Sequence, residues 1–239
     1  MFNERYKEIL LSNHLEKFAT DELAEKFHSL TERMLEVNEH MNLTAITDED
    51  GVILKHYADS LVIADLIPMG ASVIDVGCGA GFPSLPLAIA RPDLRITALD
   101  STAKRINYIK DTAEILGLAN ISAVAARAED AASKPTMREK FDIACARAVA
   151  RFGSLCELCL PFVRVGGEFI ALKGHSEEEL AEARGAVTKL GGKLISAESY
   201  CISLPGGEDN PRSLVRVKKN SRTPEIYPRN WSQISKKPL

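Results

Sequence analysis

The chain has 239 residues, 45% of them hydrophobic and 26% charged, with a formal net charge of −3. This is the composition of a soluble globular protein, and the length predicts one main domain with small additions. The acidic balance by itself argues against nucleic-acid binding. The chain lacks a basic N-terminus followed by an apolar run, and no apolar stretch approaches about 18 residues. Neither secretion nor membrane insertion is predicted, and we expect a cytoplasmic protein.

Five cysteines are scattered along the chain, namely Cys78, Cys145, Cys156, Cys159 and Cys201. Their odd number and spacing are unlike a disulfide framework. Cys156 and Cys159 form a C-x-x-C within a predicted helix, without a second such pair or a nearby pair of histidines. Buried packing is therefore favoured over zinc or redox chemistry, and no metal site is predicted.

Residues 1–70 are predicted to be helical. The stretch 20–41 carries an apolar stripe at helical spacing, formed by Leu23, Phe27, Leu30, Met34, Val37 and Met41. Further helices are predicted over 6–18 and about 51–66. Because this region is too short to be stable alone, we expect it to pack on the domain that follows.

From residue 71 to residue 219 the pattern alternates between strands and helices. Strands are predicted near 73–76, 95–99, 121–125, 141–146 and 168–172, and helices begin near Leu85, Lys104, Phe152 and Glu177. This order predicts an α/β fold with a Rossmann-like, doubly wound and mostly parallel sheet. Two more strands, 193–202 and 213–218, flank a turn rich in Gly, Pro and Asn, which predicts a C-terminal antiparallel hairpin.

Ligands of open parallel sheets bind at the carboxyl ends of the strands. Gly77, Asp100, Glu129 and Arg147 follow or end four of the predicted strands. We therefore expect these four residues to converge on one site.

The stretch VIDVGCGAGFPS, residues 73–84, places three glycines directly after an apolar strand. Gly77, Gly79 and Gly81 do not fit the G-x-G-x-x-G spacing of NAD or FAD sites, because Phe82 stands where the third glycine belongs. Asp75 would also repel a pyrophosphate. A nucleoside without phosphate fits better, and S-adenosylmethionine is such a ligand. The alternative is a tight turn that holds no ligand.

Asp100 ends the next predicted strand, nineteen positions after Gly81. An acidic residue there can accept hydrogen bonds from the hydroxyls of a ribose. The same residue could instead cap the helix that begins near Lys104. The sequence leaves both interpretations open.

The C-terminus carries a concentration of positive charge. Against the single acidic residue Glu225, the stretch from residue 216 to the end contains Arg216, Lys218, Lys219, Arg222, Arg229, Lys236 and Lys237. By itself, a basic tail such as 220–239 is more often a solvated terminus than a binding element.

Taken together, the motifs resemble the GidB/RsmG family of class I S-adenosylmethionine-dependent methyltransferases along nearly the whole chain. The matching stretches are NLTAIT (42–47), KHYADSL (55–61), DVGCGAGFPSLPLAI (75–89), LDSTAKR (99–105), RAE (127–129), ARAVA (146–150), ALKG (171–174) and the closing YPR and KKPL. This resemblance implies methylation of guanine N7 in small-subunit ribosomal RNA.

The resemblance also implies cofactor-binding residues. They are Gly77 and Phe82 in the turn, Ala128 and Glu129 after the third strand, and Arg147 after the fourth. Glu129 could accept from the exocyclic amine of adenine, and Phe82 could lie against the adenosine; the alternatives are capping and core packing. Two positions depart from the family pattern: Ser84 stands where glycine is common, and Cys78 where serine or threonine is usual.

Guanine N7 carries a lone pair and no proton, so its methylation needs alignment and no general base. His56 and Asp59 therefore need not be an acid–base pair, and the alternative is a structural contact that holds the helix to the core. Asn42 either shapes the substrate loop or caps a turn. Arg147, Arg151 and Lys173 are expected to position substrate or phosphate. With ribosomal RNA or a ribosomal particle as partner, and no membrane or DNA, the basic tail becomes a candidate RNA clamp.

Two other functions are compatible with the same glycine turn. One is a methyltransferase acting on a small molecule or a protein, which would not need the basic tail or the NLTAIT and KKPL segments. The other is a non-enzymatic nucleotide-binding module. Methyl incorporation into RNA distinguishes the three.

Overall fold

The computed structural model describes residues 1–147, 150–174 and 177–239. Its centre is a seven-stranded sheet in the order β3-β2-β1-β4-β5-β7-β6. The strands are β1 (Ser72–Val76), β2 (Arg95–Asp100), β3 (Ile121–Ala125), β4 (Phe141–Arg147), β5 (Val163–Lys173), β6 (Gly192–Ile202) and β7 (Asn210–Lys219). Ala148 and Val149 of the ARAVA motif lie outside the described residues.

Helices flank the sheet on both faces. They are α1 (Phe2–Ser12), α2 (Asp21–Met41), α3 (49–61), α4 (Ser84–Ala90), α5 (Ala103–Ile115), α6 (Ala128–Ala132), α7 (Phe152–Cys159), α8 (Glu177–Lys189) and α9 (Trp231–Lys236). The middle of α3, Val52–Ala58, is π-helical. Short 3₁₀ turns lie at Glu16–Phe18, Ala64–Leu66 and Leu160–Phe162.

The pairing confirms the predicted sheet. Strands β1 to β5 run parallel to one another. The hairpin of β6 and β7 is antiparallel, and β7 is inserted between β5 and β6, so it also runs antiparallel to β5. All five parallel strands therefore present their carboxyl ends at one edge.

Successive side chains of each strand point to opposite faces of the sheet, and both faces are buried. Val73 and Ile143 point into a cluster shared with α1, α2, α3 and α4, whereas Ile74 and Ala144 point into a second cluster with α7, α8 and α9. The N-terminal helices thus share a core with the sheet.

The structure changes several predicted boundaries. The predicted helix over 6–18 is the helix Phe2–Ser12 followed by a separate turn at Glu16–Phe18. Helix α2 begins as predicted, since Thr20 accepts a hydrogen bond from the amide of Leu23. Neither α6 nor α9 was predicted, because five or six residues give too little periodicity to detect.

The C-terminal segment 220–239 is docked on the sheet domain. The Arg138 guanidinium donates to the carbonyls of Thr223 (2.9 Å) and Tyr227 (2.8 Å). Arg229 donates from Nη2 to Oε2 of Glu157 (2.6 Å) and from Nε to Oε1 (2.9 Å), and Glu157 lies in α7 with no exposed surface. These contacts fix the path of the segment up to α9.

Candidate cofactor and substrate site

A cavity of about 480 Å³ opens at the carboxyl edge of the sheet. Its volume lies within the range of about 300–1,000 Å³ that is usual for small-molecule sites. Its lining includes Leu43, Thr44, His56, Gly77, Cys78, Gly79, Phe82, Asp100, Arg105, Arg127, Ala128, Glu129, Arg147, Leu158 and Trp231. Seven of the ten predicted site residues are among them: Gly77, Gly79, Phe82, Asp100, Ala128, Glu129 and Arg147.

The glycine turn brings backbone to the cavity wall. Gly77 and Gly79 adopt positive φ angles of 77° and 56°, which glycine tolerates without a Cβ penalty. The Gly77 amide donates to the carbonyl of Leu99 (2.7 Å), and the Gly79 amide donates to Oδ2 of Asp100 (3.0 Å). A Cβ at Gly79 would meet no atom within 4 Å, so this position faces open space.

Asp75 and Gly81 lie behind the turn, outside the cavity lining. Asp75 is fully buried and its Oδ2 accepts from the amide of Ser84 (3.1 Å). Burial raises the pKa of Asp75 to about 7. At Gly81 a Cβ would meet Leu85 Cδ1 at 2.5 Å, which is too close. Both residues shape the turn from beneath it.

The carboxylate of Asp100 caps the helix, as one of the two predicted interpretations has it, and it also reaches the glycine turn. Oδ1 accepts from the amide of Thr102 (2.7 Å), at the start of α5, and Oδ2 accepts from Gly79 across the turn. Each carboxylate oxygen has a second lone pair. Asp100 is thus able to hold the helix and the turn and still accept a hydrogen bond from the cavity.

His56 of α3 is stacked on Phe82 of the glycine turn in the cavity wall, with ring centroids 4.3 Å apart. His56 Nε2 lies 2.9 Å from Oγ1 of Thr44, and its Nδ1 lies 3.5 Å from Nη2 of Arg147. Burial, reinforced by the Arg147 guanidinium, lowers the pKa of His56 to about 3. The imidazole is therefore neutral at physiological pH.

Arg147 joins the end of β4 to α3. Its Nη1 donates to the carbonyl of Lys55 (2.8 Å) and to Oδ2 of Asp59 (3.4 Å). Asp59 also faces Arg212 (3.4 Å) and accepts from the hydroxyl of Tyr200 (3.1 Å). Arg147 thus lies between His56 and Asp59 and contacts both, so these two residues do not form an acid–base pair.

Lys173 lies away from the main cavity, in a second one. This cavity, of about 300 Å³, shares His56 and Arg147 with the first and is also lined by Lys55, Asp59, Lys173 and Arg212. The ammonium of Lys173 is paired with Glu179 and donates to the carbonyl of Ala150 (3.3 Å). Of the three residues predicted to position substrate or phosphate, Arg147 and Lys173 therefore lie in walls of neighbouring cavities, whereas Arg151 lines neither of them.

The seven cations of the C-terminal stretch are not equally available to phosphate, because the fold buries or pairs several of them. Lys219 is fully buried and donates to the carbonyl of Leu160 (2.7 Å). Arg229 pairs with the buried Glu157, and Arg216 and Lys218 both pair with Glu168. These contacts engage four of the cations within the fold. Arg222, Lys236 and Lys237 remain exposed to solvent.

Several lining residues were not predicted. Thr44 lies in the NLTAIT stretch, in which only Asn42 carried a predicted role. Arg105 reaches the cavity from α5, where it also lies 3.7 Å from Asp100. Trp231, the single tryptophan of the chain, belongs to a terminal helix that carried no sequence signal.

Cys156 and Cys159 are buried, as predicted for packing residues. Burial raises the pKa of both thiols, so they remain protonated at neutral pH. Among the described helices, none combines the length and the apolar character that crossing a bilayer requires.

Comparisons with known proteins agree with this arrangement. Residues 23–202 match the GidB family, described as rRNA small subunit methyltransferase G. A ribosomal RNA small subunit methyltransferase G from Lactobacillus delbrueckii subsp. bulgaricus is 47% identical over 220 residues, covering 90% of this chain and 91% of the relative. One from Brevibacillus brevis is 43% identical over 242 residues, with both chains fully covered.

Solved structures show the same fold at low sequence identity. The crystal structure of M. jannaschii TYW2 in complex with AdoMet gives a TM-score of 0.55 at 16% identity, covering 67% of this chain and 74% of that chain. A predicted O-methyltransferase from Agrobacterium tumefaciens gives 0.54 at 19% identity, covering 69% and 82%. By its sequence, this chain belongs to the GidB family of small-subunit ribosomal RNA methyltransferases.

Proposed function

We propose that this protein transfers a methyl group from S-adenosylmethionine to N7 of a guanine in 16S ribosomal RNA. The observation that carries the proposal is the main cavity, which opens where the parallel strands end and which a glycine turn, Asp100 and Glu129 line together. Membership of the family supports the class of reaction and the ribosomal substrate.

The residues present fit this cofactor. Open space at Gly79 admits a ligand against the backbone. Asp100 offers acceptor capacity to a ribose diol, and Glu129 offers it to an exocyclic amine. Leu158 and Trp231 add apolar surface on the same wall for a purine. The carboxylate of Asp100, which accepts from the Gly79 amide and lines the cavity, disfavours a pyrophosphate at the turn and agrees with a nucleoside cofactor.

Three parts of the chain contribute to the proposed site. Residues 1–70 supply Thr44 and His56, residues 71–219 supply the glycine turn and the strand ends, and residues 220–239 supply Trp231. We propose this division as the functional organisation of the chain.

The chemistry that the cofactor supplies is a methyl group on a positively charged sulfur, which a nitrogen lone pair can attack directly. Because guanine N7 carries no proton, the chain's residues have to align the base and need not remove a proton. The neutral His56 fits that requirement, since it holds Thr44 and Phe82 in place without adding charge. Acceptors such as Glu129 and Asp100 make the cavity tolerant of the positive charge that moves to the purine.

The second cavity is the proposed route for the RNA backbone. Lys55, Arg147, Lys173 and Arg212 give it four cations against the single carboxylate of Asp59 among its lining residues in the described chain. Arg147 and His56 separate it from the main cavity. A phosphate held there would place its nucleotide beside the wall of the methylation site, once the base has left its stack.

The experiment that tests this function offers several acceptors at once. The pure protein is incubated with methyl-labelled S-adenosylmethionine and with small-subunit particles, naked 16S RNA, transfer RNA or a mixture of cellular proteins. We expect label in the small-subunit particles or the 16S RNA only. Label in the protein mixture alone would support the rival function, and cofactor binding without any transfer would favour a binding module.

A further inference from the structure

The aromatic side chains around the main cavity differ in what they can offer a ligand. Phe82 is 5% exposed, and its ring is stacked on His56, so little of its surface is open to an adenine. Trp231 is 37% exposed and lines the same cavity. Among the lining residues described, Trp231 is therefore the aromatic side chain with the most surface available for stacking.

Contacts behind Trp231 hold it at this position. Ile234 of the same helix is fully buried in the cluster that contains α7. Arg229, two residues before Trp231, is bonded to Glu157 through its backbone amide (2.8 Å) as well as its guanidinium. Asn230 caps the helix by accepting from the amide of Gln233 (3.0 Å). An exposed indole on such a fixed segment is preorganised for a ligand.

The position of α9 indicates which part of the ligand Trp231 meets. Helices α6 and α9 both pack against α7. Helix α6 carries Glu129, the proposed acceptor for an exocyclic amine, and α7 carries Leu158, which lines the cavity. His56 lies in α3, and Phe82 is stacked on it. Trp231 thus shares its side of the cavity with the residues suited to a purine base.

Building on the proposed function, we propose that Trp231 is a binding residue for the cofactor and that its indole stacks on the adenine. Every nucleobase has a π-face, and stacking on an aromatic side chain strengthens its binding substantially. This replaces Phe82 as the residue that lies against the adenosine. It also gives the docked C-terminal segment a role at the cofactor site.

The single tryptophan makes the test direct. Fluorescence of the wild-type protein is excited at the red edge of the tryptophan band, where adenine does not absorb. We expect S-adenosylhomocysteine and adenosine each to change the emission of Trp231 saturably, and L-methionine at the same concentrations to leave it unchanged. A response to guanosine monophosphate without a response to S-adenosylhomocysteine would overturn the proposal, because the indole would then meet the substrate base.

Variants separate stacking from structure. Trp231→Ala should weaken S-adenosylhomocysteine binding by calorimetry by about 5- to 100-fold, and Trp231→Phe should stay within about threefold of wild type. Ile226→Ala, at an exposed residue of the same segment outside the cavity lining, is the matched control and should bind like wild type. Urea unfolding checks that each variant is folded.

The outcomes distinguish this proposal from the proposed function. If Trp231→Ala is folded and binds S-adenosylhomocysteine as tightly as wild type, the stacking proposal is wrong while the methyltransferase stands. If wild-type protein binds no S-adenosylhomocysteine at all, the proposed function itself fails.

Discussion

The imidazole of His56 lies nearly parallel to the phenyl ring of Phe82, with 4.3 Å between the centroids and 7° between the planes. Both imidazole nitrogens face polar partners, Nε2 towards Thr44 and Nδ1 towards Arg147. With a pKa of about 3, the ring carries no positive charge near neutrality. His56 is thus a neutral part of the cavity wall that contacts Thr44, Phe82 and Arg147.

The first prediction follows from this neutrality. His56→Gln should retain single-turnover methylation of bound RNA within about tenfold of wild type, because N7 needs no base. The rate of either protein should show no titrating limb between about pH 6 and 8. Quenched-flow measurement with saturating cofactor and RNA provides the single-turnover rate and its dependence on pH. A folded variant that binds both ligands and has lost orders of magnitude in rate would refute the base-free mechanism.

The second prediction concerns the glycine turn. Gly79→Arg should abolish S-adenosylmethionine binding in calorimetry while the circular dichroism spectrum stays native, because the new side chain enters the open space beside Gly79. Gly79→Ala is the matched control: it carries the same backbone strain at φ 56° with only a methyl group. Unchanged affinity in Gly79→Arg would place the cofactor elsewhere.

The third prediction compares two arginines that share Asp59. Arg147→Ala should lower cofactor binding or the single-turnover rate by about 1–3 kcal/mol, the usual effect of losing a hydrogen bond from a charged group. Arg212→Ala removes a cation at the same 3.4 Å from Asp59 but leaves the main cavity intact, so cofactor affinity should stay within about twofold.

Lys173→Ala tests the second cavity in the same assay. It should weaken RNA binding or the rate by about 1–3 kcal/mol and leave cofactor affinity unchanged, because Lys173 lies outside the main cavity. Equal losses of cofactor affinity in the Arg147, Arg212 and Lys173 variants would indicate a general structural effect.

These predictions use a fold that the sequence largely predicted. Alternating strands and helices, together with the glycine turn, identified the parallel sheet and the edge where Gly77, Asp100 and Arg147 meet, because those signals are local. The start of β5 was missed by five residues, since 163–167 carries two glycines and a register shift in its pairing with β4. Periodicity cannot resolve such an irregular end.

The contacts of the C-terminal segment were not predicted, for a different reason. Counting charges along 216–239 could not reveal that Glu157 and Glu168, far away in sequence, pair with Arg229, Arg216 and Lys218. The place of Trp231 in the cavity likewise depends on tertiary docking. Long-range pairing of this kind is invisible to a single sequence without homologues.

The fourth prediction revises the role of the basic tail. Replacing the exposed Arg222, Lys236 and Lys237 with Gln should reduce the slope of log affinity for RNA against log salt by roughly 0.7–0.9 for each phosphate that these cations neutralise. Replacing Lys7, Lys17 and Lys26 of the N-terminal region removes the same charge and should leave the slope unchanged. Equal slopes in the wild type, the tail variant and the N-terminal variant would show that the tail cations do not contact RNA.

Truncation after Lys219 is unsuitable for this purpose. It would remove Arg229 and leave the buried carboxylate of Glu157 without its partner, a loss that typically costs about 3–5 kcal/mol of stability. Substitution of exposed cations avoids that confusion.

The fifth prediction concerns pH and Asp75. Its pKa of about 7 in the folded protein lies above the ordinary value of 3.8, so the folded state holds the proton more tightly and stability falls as pH rises from about 4 to 7. The free energy of unfolding of Asp75→Asn, relative to that of wild type, should therefore rise across this window by about 4 kcal/mol at most. Above about pH 7 this difference should stay constant. Urea unfolding at several pH values measures the difference.

Asp142 provides the opposite control. Burial alone would raise the pKa of Asp142, but hydrogen bonds from Ser72 and Arg164 to the carboxylate outweigh it and lower the pKa to about 2. Asp142→Asn should lose stability relative to wild type above about pH 4, and this difference should disappear as pH falls towards about 2. Parallel pH curves for wild type and Asp75→Asn would contradict the buried, proton-holding state of Asp75.

Nucleoside analysis of the methylated RNA tests the central claim most directly. Small-subunit particles or 16S RNA are labelled by the pure protein with methyl-labelled S-adenosylmethionine, digested to nucleosides and separated by chromatography with mass detection. We predict that the label elutes as 7-methylguanosine. Label in any other nucleoside, or a protein that binds the cofactor and transfers no methyl group to either acceptor, would contradict the proposed function.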